Sequence, residues 1–234
     1  MTAEQNRRDF IAVAAGVAVV AGAADALAQQ QATAPKPEYE IKKLPFDPAK
    51  VKGLSEKLLQ SHWANNYSGA VKRLNAIGAQ LAGLDFATAP VFVVNGLKRE
   101  ELIAANSMII HELYFDCLGG EGEPKGALAE QLAKDFGSVA RWKAEFAAVG
   151  KALGGGSGWV LLTWSPRDKR LVNTWAADHT MTLANGRPIL ALDMFEHAYA
   201  MDYGAAAAKY VDSFMQGVRW DTVASRFETY SKQA

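Results

Sequence analysis

The sequence DMFEHAY, from Asp193 to Tyr199, follows an apolar run, Pro188 to Leu192, that is typical of a buried strand. It then opens a segment with a helix-like composition. Asp193 and His197 are therefore expected at the end of a strand, where both side chains can point at one metal ion. Carboxylate and imidazole groups are ligands of iron, manganese and zinc. The competing interpretation is an ordinary hydrogen-bonded Asp–His pair.

Two further histidines lie on predicted apolar helix faces. His62 belongs to LSEKLLQSHWANNYSGAVKRLNAI, and His111 belongs to ELIAANSMIIHELYFDCL, both with apolar residues at helical spacing. Singly, each is most simply a core histidine hydrogen-bonded to a neighbour. A site of three histidines and one aspartate accounts for His62, His111, Asp193 and His197 together.

The pattern of apolar residues divides the chain into a helical half and a mixed half. Helices are predicted first, at about Leu54–Leu81 with a possible break near Gly69, Arg99–Leu118, Lys125–Phe136 and Val139–Leu153. Strands follow at Trp159–Ser165, Leu171–Ala177 and Pro188–Asp193, and then helices at Phe195–Met201, Ala205–Gly217 and Trp220–Ser231.

These elements indicate an α+β fold. An N-terminal helical hairpin domain, residues 39–120, is followed by a C-terminal domain, residues 121–234, with a three-stranded antiparallel sheet surrounded by helices. The four candidate ligands are divided equally between the two halves. A metal ion would therefore join both predicted domains.

The first 28 residues have the pattern of an export signal. Arg7 and Arg8 precede an apolar stretch, Ile11–Val20, and Ala26-Leu27-Ala28 offers a cleavage point. The pattern predicts a twin-arginine signal peptide and a periplasmic protein with no membrane segment after cleavage. An uncleaved anchor is the alternative. Residues 29–38 are polar and contain proline, which predicts a flexible leader.

Composition narrows the functional classes. Without residues 1–28 the chain has 23 basic and 22 acidic residues, a formal charge of +1, which argues against nucleic acid as a partner. Cys117 is the single cysteine, so an intramolecular disulfide and a cysteine-pair redox site are excluded. Half of the residues are apolar, enough for a substantial core.

From Tyr39 to about Tyr230 the chain resembles the iron/manganese superoxide dismutases. The matching pieces occur in order: LPF at Leu44, IHELYFDCL around His111, GEP at Gly122, GSGWVLL from Gly156, and LDMFEHAYAMDYG from Leu192. The last contains the family signature D-x-W-E-H-A-Y, with Phe195 in place of Trp. The resemblance implies that His62, His111, Asp193 and His197 bind one Fe or Mn ion per subunit.

The same resemblance implies the residues around the metal and the partners of the protein. Tyr114 and Trp159 are expected to wall the site, and His179 is favoured over Asp178 as the residue hydrogen-bonded to metal-bound solvent. Glu196 is expected to reach a ligand histidine across a homodimer. The implied substrate is superoxide, and the twin-arginine export machinery would be a further partner.

Several positions depart from the family pattern. The usual gate Tyr is Ala70, and the His four residues after the first ligand is Asn66. The second Tyr of E-H-A-Y-Y is Ala200, and the Gln of iron-type members is Ser107. The usual Gln that helps separate iron from manganese enzymes is absent from both expected places, so the choice of metal stays open.

The expected activity is dismutation of superoxide to dioxygen and hydrogen peroxide. Two alternatives remain. One is another mononuclear Fe/Mn oxidoreductase, for example a peroxide-consuming enzyme, which the changes at Asn66, Ala70 and Ala200 permit. The other is a non-catalytic homologue that binds a metal for stability.

Overall fold

The helical half begins with two helices joined by a wider turn. The computed structural model describes residues 38–233. Helix α1 (Glu56–Ser61) continues through a π-helical turn (His62–Tyr67) into α2 (Ser68–Ala82), and α3 (Val91–Asp116) packs against α2. The Ser55 hydroxyl caps α1 by accepting a hydrogen bond from the backbone N–H of Leu58 at 3.1 Å.

Two sequence predictions about these helices are wrong. Helix α3 begins at Val91 rather than near Arg99, immediately after Pro90. Val91 and Phe92 are 84% and 74% exposed, so the first turn has no buried apolar stripe that could mark it as helical. The break expected near Gly69 is also wrong, because α2 passes through it and the irregularity is the preceding π turn.

The mixed half adds two helices, a sheet and three closing helices. Its elements are α4 (Gly126–Phe136), α5 (Val139–Ala152), β1 (Trp159–Ser165), β2 (Arg170–Ala176), β3 (Arg187–Asp193), a 3₁₀ turn (Glu196–Ala198), α6 (Ala200–Tyr203), α7 (Ala207–Gln216) and α8 (Trp220–Lys232). The three strands are antiparallel in the order β2-β1-β3. The predicted α+β class is confirmed.

The register of the sheet places the start of β1 beside the ends of β2 and β3. Trp159, the first residue of β1, lies opposite Ala176 at the end of β2 and Asp193 at the end of β3. All of β1 is buried, because it is the central strand and both of its faces are covered. Residues that follow β2 and β3 therefore meet beside Trp159.

The two halves share one core. Leu118 forms a backbone bridge with Val218, and the N–H of Arg219 donates to the carbonyl of Cys117 at 2.8 Å. Residues 38–233 belong to one compact unit, and the division at residue 120 stays a prediction. No helix in this range combines the length and apolarity of a membrane span. The signal residues Arg7 and Arg8, the cleavage point at Ala28 and the leader up to residue 37 lie outside the described residues.

Candidate metal centre

Four distant parts of the chain converge on one point. His62 is the first residue of the π turn, and His111 lies on α3. Asp193 ends β3, and His197 lies in the 3₁₀ turn that follows. One ligand atom from each residue lies within 4.8 Å of the others. The structure thus brings together all four candidate ligands.

One oxygen of Asp193 is at the centre of the cluster. Its Oδ2 lies 3.1 Å from His62 Nε2, 3.3 Å from His197 Nε2 and 3.6 Å from His111 Nε2. Asp193, His62 and His111 are buried, whereas the His197 side chain is 27% exposed. The cluster is therefore reached from solvent on the side of His197.

The hydrogen bonding of the histidines fits a bound cation. His111 Nδ1 donates to the carbonyl of Ser107 at 2.7 Å, so the Nε2 lone pair points at the cluster. Nε2 of His111 and both ring nitrogens of His62 are buried and lack hydrogen-bond partners. Unsatisfied buried groups cost about 1–3 kcal/mol each. A metal ion accepts the two Nε2 lone pairs, so this donor set can hold one ion.

The protonation states also suit a metal. Burial lowers the pKa of His62, and burial together with the nearby His62 lowers the pKa of His111 to about 3. Burial is the largest influence on the pKa of Asp193 and would raise it, but the interactions with His197 and His62 together outweigh burial and hold that pKa far below its usual value. Neutral imidazoles around a carboxylate are the forms that bind metal ions.

Aromatic rings close the buried side of the cluster. The ring of Tyr114 lies 5.2 Å from that of His62, and the ring of Trp159 lies 5.1 Å from that of His111. Tyr210 donates a hydrogen bond to the Tyr114 hydroxyl at 3.3 Å, and burial raises the pKa of Tyr114 well above 10. Tyr114 is therefore neutral, and it and Trp159 form an apolar wall.

The loop after β2 places His179 at the edge of the cluster. Trp159 Nε1 donates to His179 Nδ1 at 3.0 Å, which leaves the proton of the neutral ring on Nε2. Burial lowers the pKa of His179, which favours that neutral ring. Asp178 is engaged locally instead, because its Oδ1 accepts hydrogen bonds from the N–H and hydroxyl of Thr180.

Sequence reasoning missed the contacts that three residues make around the site. Asn106 donates a hydrogen bond to the His179 carbonyl, Tyr210 contacts Tyr114, and Phe195 stacks between His179 and His197. Phe195 was recognisable only as the signature's substituted Trp. Asn106 and Tyr210 carry no spacing signal, since each meets its partner only through the fold.

The positions that depart from the family pattern differ in exposure. Ala70 is buried in the core, Asn66 is partly buried, and Ala200 is exposed. Glu196 is exposed beside His197, and its carboxylate makes no hydrogen bond or ion pair within residues 38–233.

The fold and the site define an α+β protein with a centre for one metal ion between its helical and mixed halves. The sequence model of the family described as "Iron/manganese superoxide dismutases, C-terminal domain" matches residues 124–226. The chain is 69% identical to an iron superoxide dismutase of Cupriavidus metallidurans, over 81% of this chain and 96% of that protein. It belongs to the iron/manganese superoxide dismutase family.

More distant relatives include proteins named as manganese enzymes and proteins named as iron enzymes. A manganese superoxide dismutase of Haloferax volcanii is 36% identical over 82% of this chain and 96% of its own length. An iron superoxide dismutase of Aquifex pyrophilus is 33% identical over 79% of this chain and 89% of its own length.

Proposed function

We propose that the protein converts two superoxide anions and two protons into dioxygen and hydrogen peroxide. The convergence of His62, His111, Asp193 and His197 within 4.8 Å carries this proposal. A bound iron or manganese ion supplies the reversible one-electron exchange that the reaction requires. The 69% identical relative, named as an iron enzyme, supports the same activity.

The protein residues select a small anion. Imidazoles bind metal ions in their neutral form, so the Asp193 carboxylate is the single negative charge among the four ligands. One such charge does not neutralise a divalent or trivalent cation, so the centre stays positive. A positive centre behind low-dielectric walls attracts anions from solution. Tyr114 and Trp159 add no charge of their own and exclude bulk water from the buried side.

His179 is the proposed proton-handling residue beside the site. With Nδ1 occupied by Trp159, its Nε2–H is the remaining donor of the ring. This donor would be available to solvent or substrate if the four ligands held a metal ion, because the His179 ring lies 5.9 Å from that of His111. Hydrogen bonds to solvent at a metal tune its potential and acidity.

The direct test uses superoxide generated by a radiation pulse. Protein reconstituted with iron or with manganese should speed superoxide decay in proportion to its metal content. Asp193→Asn should abolish the effect, and Asp178→Asn, a matched change at a locally bonded carboxylate, should keep it. Decay no faster than in buffer with either metal would disprove the proposal.

Peroxide consumption distinguishes the other enzyme class. The same reconstituted protein should remove superoxide far faster than it removes added hydrogen peroxide. Faster peroxide consumption would identify a different mononuclear oxidoreductase. A protein that binds metal but is silent in both assays would be a non-catalytic homologue.

The metal itself is proposed as one Fe or Mn ion per subunit. Relatives named as iron enzymes and as manganese enzymes support either metal, and the 69% identical protein is named as an iron enzyme. Metal analysis of protein isolated from its native compartment should give about one atom per chain.

We also infer that residues 1–28 direct export and that the mature protein works in the periplasm. Arg7 and Arg8 before the apolar stretch Ile11–Val20, and Ala26-Leu27-Ala28 after it, support a cleaved twin-arginine signal. Replacement of both arginines by lysine should leave the precursor in the cytoplasm. Unchanged export of that variant would contradict the assignment.

A homodimer is the proposed assembly. The exposed Glu196 carboxylate has no partner within residues 38–233, and His197 beside it is partly exposed. In a symmetric dimer, Nδ1 of His197 can donate to Glu196 of the partner subunit. Light scattering should give twice the chain mass, and Glu196→Ala should shift the protein towards monomer. A monomeric parent protein would contradict this assembly.

A further inference from the structure

The backbone of His179 is tied to the helix that carries His111. Asn106 lies on α3, five residues before His111, and its Nδ2 donates to the carbonyl oxygen of His179 at 2.6 Å. The two residues are 73 positions apart in the chain. This hydrogen bond therefore joins a ligand-bearing helix to the loop between β2 and β3.

The imidazole ring of His179 is held from two other directions. Trp159 donates to its Nδ1 at 3.0 Å, and the ring stacks on Phe195 with centroids 4.8 Å apart and planes at 13°. Phe195 stacks in turn on His197, 5.3 Å away at 14°. A shift of the His179 backbone would disturb both ring contacts.

The loop also meets α3 through the ring contact of His179 with His111, but its remaining hydrogen bonds go elsewhere. Two of its other hydrogen bonds stay within the loop: the carboxylate of Asp178 binds Thr180, and the N–H of Ala177 reaches the sulfur of Met181. Ser157 binds the carbonyl of Ala177 and so links the loop to the segment before β1. Within residues 38–233, the hydrogen bond from the loop to α3 is the one from Asn106.

We propose that Asn106 is a positioning residue, which sets the place of the His179 ring beside the metal ligands by holding the His179 carbonyl. Within residues 38–233 its side chain makes no hydrogen bond to the four ligands, and it acts through His179. Its functional consequence rests on the proposed dismutase activity. The positioning itself is a property of the chain and can be measured in the metal-free protein.

The test follows the indole N–H of Trp159 and the ring nitrogens of His179 by nitrogen-15 NMR in metal-free protein. Asn106→Asp keeps the size of the side chain but removes the donor, and Asn106→Ala removes the amide. Either change should shift the Trp159 indole resonance, speed its exchange with water about tenfold, and mix the two His179 tautomers.

Asn75→Ala is the matched control. Asn75, on α2, also donates from Nδ2 to a distant backbone carbonyl at 2.8 Å, but this carbonyl belongs to Tyr39 in the segment before α1 and not to the loop that carries His179. This variant should leave the Trp159 and His179 signals unchanged. The use of two Asn106 variants keeps the test decisive if one of them does not fold.

Measurements on metal-loaded protein distinguish a positioning role of Asn106 from a role in binding the metal. Asn106→Asp should keep the parent's metal content, while its turnover falls about tenfold, as is usual for residues that support a ligand shell. Unchanged His179 and Trp159 signals in both Asn106 variants would overturn the positioning role. If the Asn106 variants alter these signals but the parent protein has no dismutase activity, the proposed function is wrong and the positioning role stands.

Discussion

At the residue scale, Asp193 is the side chain on which the centre depends. Its Oδ2 lies within 3.6 Å of three imidazole nitrogens, and it is the carboxylate among the four ligands. The position at the end of β3 holds it rigidly, and its Oδ1 also accepts the N–H of Phe195 at 2.9 Å. Both oxygens are thus oriented by the fold.

Asp193→Asn should lose the metal. The amide has nearly the same size, so the packing is kept while the negative charge at the centre is removed. Metal content after dialysis should fall at least about tenfold, measured by elemental analysis. Asp178→Asn serves as the control and should keep its metal. An Asp193→Asn protein that kept the full metal content of the parent would contradict the ligand role.

Cys117 should be unreactive in the folded protein. It is fully buried, and burial raises the pKa of its thiol to about 12, so the reactive thiolate is scarce at neutral pH. A thiol reagent should label it within minutes in urea but not over hours in buffer at pH 8. Rapid labelling of native protein would show that this part of the core opens.

The four ligands were easier to predict from the sequence than the residues that surround them. His62, His111, Asp193 and His197 could be selected from the sequence because metal chemistry uses few residue types. Asn106 could not, because an asparagine on a helix has many ordinary roles. Its contact with His179 depends on how the loop after β2 packs against α3, which no local pattern encodes.

At the element scale, the start of β1 requires glycine. Gly158 has φ +137°, and a Cβ there would lie 2.1 Å from the carbonyl oxygen of Ala176. Its carbonyl also accepts the N–H of Met194, next to Asp193, at 2.9 Å. The residue therefore holds the ends of β1, β2 and β3 in their close arrangement.

Gly158→Ala should lower the free energy of unfolding by at least about 2 kcal/mol, because backbone strain and a steric clash add together. Urea denaturation measures the change. Gly69→Ala is the control: Gly69 lies within α2 with open space around its Cβ, so alanine should raise stability by about 0.5–1 kcal/mol. Equal effects of the two changes would refute this interpretation.

The segment before α1 is held by Tyr67, the last residue of the π turn. Its hydroxyl accepts the N–H of Lys42 at 2.9 Å and donates to Glu112 at 3.0 Å. Burial raises the pKa of Tyr67 to about 12. Between pH 10 and 12 the unfolded chain loses this proton while the folded chain keeps it, so stability should fall as pH rises.

Tyr67→Phe tests both consequences. At pH 7 the variant should be less stable by about 1–2 kcal/mol, since Lys42 and Glu112 lose their partner. Above pH 10 the gap between the variant and the parent should narrow, because the variant lacks the titrating phenol. A gap that stayed constant from pH 9 to 11 would argue against the raised pKa.

Most elements were predictable, and the exceptions have physical causes. The three strands and helices α4, α5, α7 and α8 begin and end within about two residues of their predicted bounds, because the spacing of apolar residues marks them. The single helix predicted at Phe195–Met201 is wrong, because a 3₁₀ turn (Glu196–Ala198) precedes the shorter α6 (Ala200–Tyr203). The first turns of α3 expose Val91 and Phe92, so periodicity misplaced its start. The π turn at His62 depends on a shift in hydrogen bonding that side-chain patterns do not show.

At the scale of the whole molecule, the centre bridges the helical and mixed halves. His62 and His111 come from the first, and Asp193 and His197 come from the second. Folding must therefore bring together buried imidazole nitrogens that lack hydrogen-bond partners within the chain. A bound ion offsets that cost, so metal binding and folding are coupled.

Metal removal should lower the melting temperature. An ion present at ~1,000 times its Kd adds about 4 kcal/mol to the stability of the folded state. For a chain of this size that corresponds to roughly 8–16 °C. Calorimetry of chelated and reconstituted protein measures the difference, and Asp193→Asn should show almost none. Identical melting temperatures with and without metal would mean that the ion does not join the two halves.

The most direct test of the central claim is an anomalous-scattering map of protein crystals grown after loading with iron or manganese, recorded at the absorption edge of that metal. We expect one strong peak per chain, within bonding distance of His62 Nε2, His111 Nε2, Asp193 Oδ2 and His197 Nε2. A peak elsewhere, or one that His62 does not ligate, would contradict a single centre built from both halves of the chain.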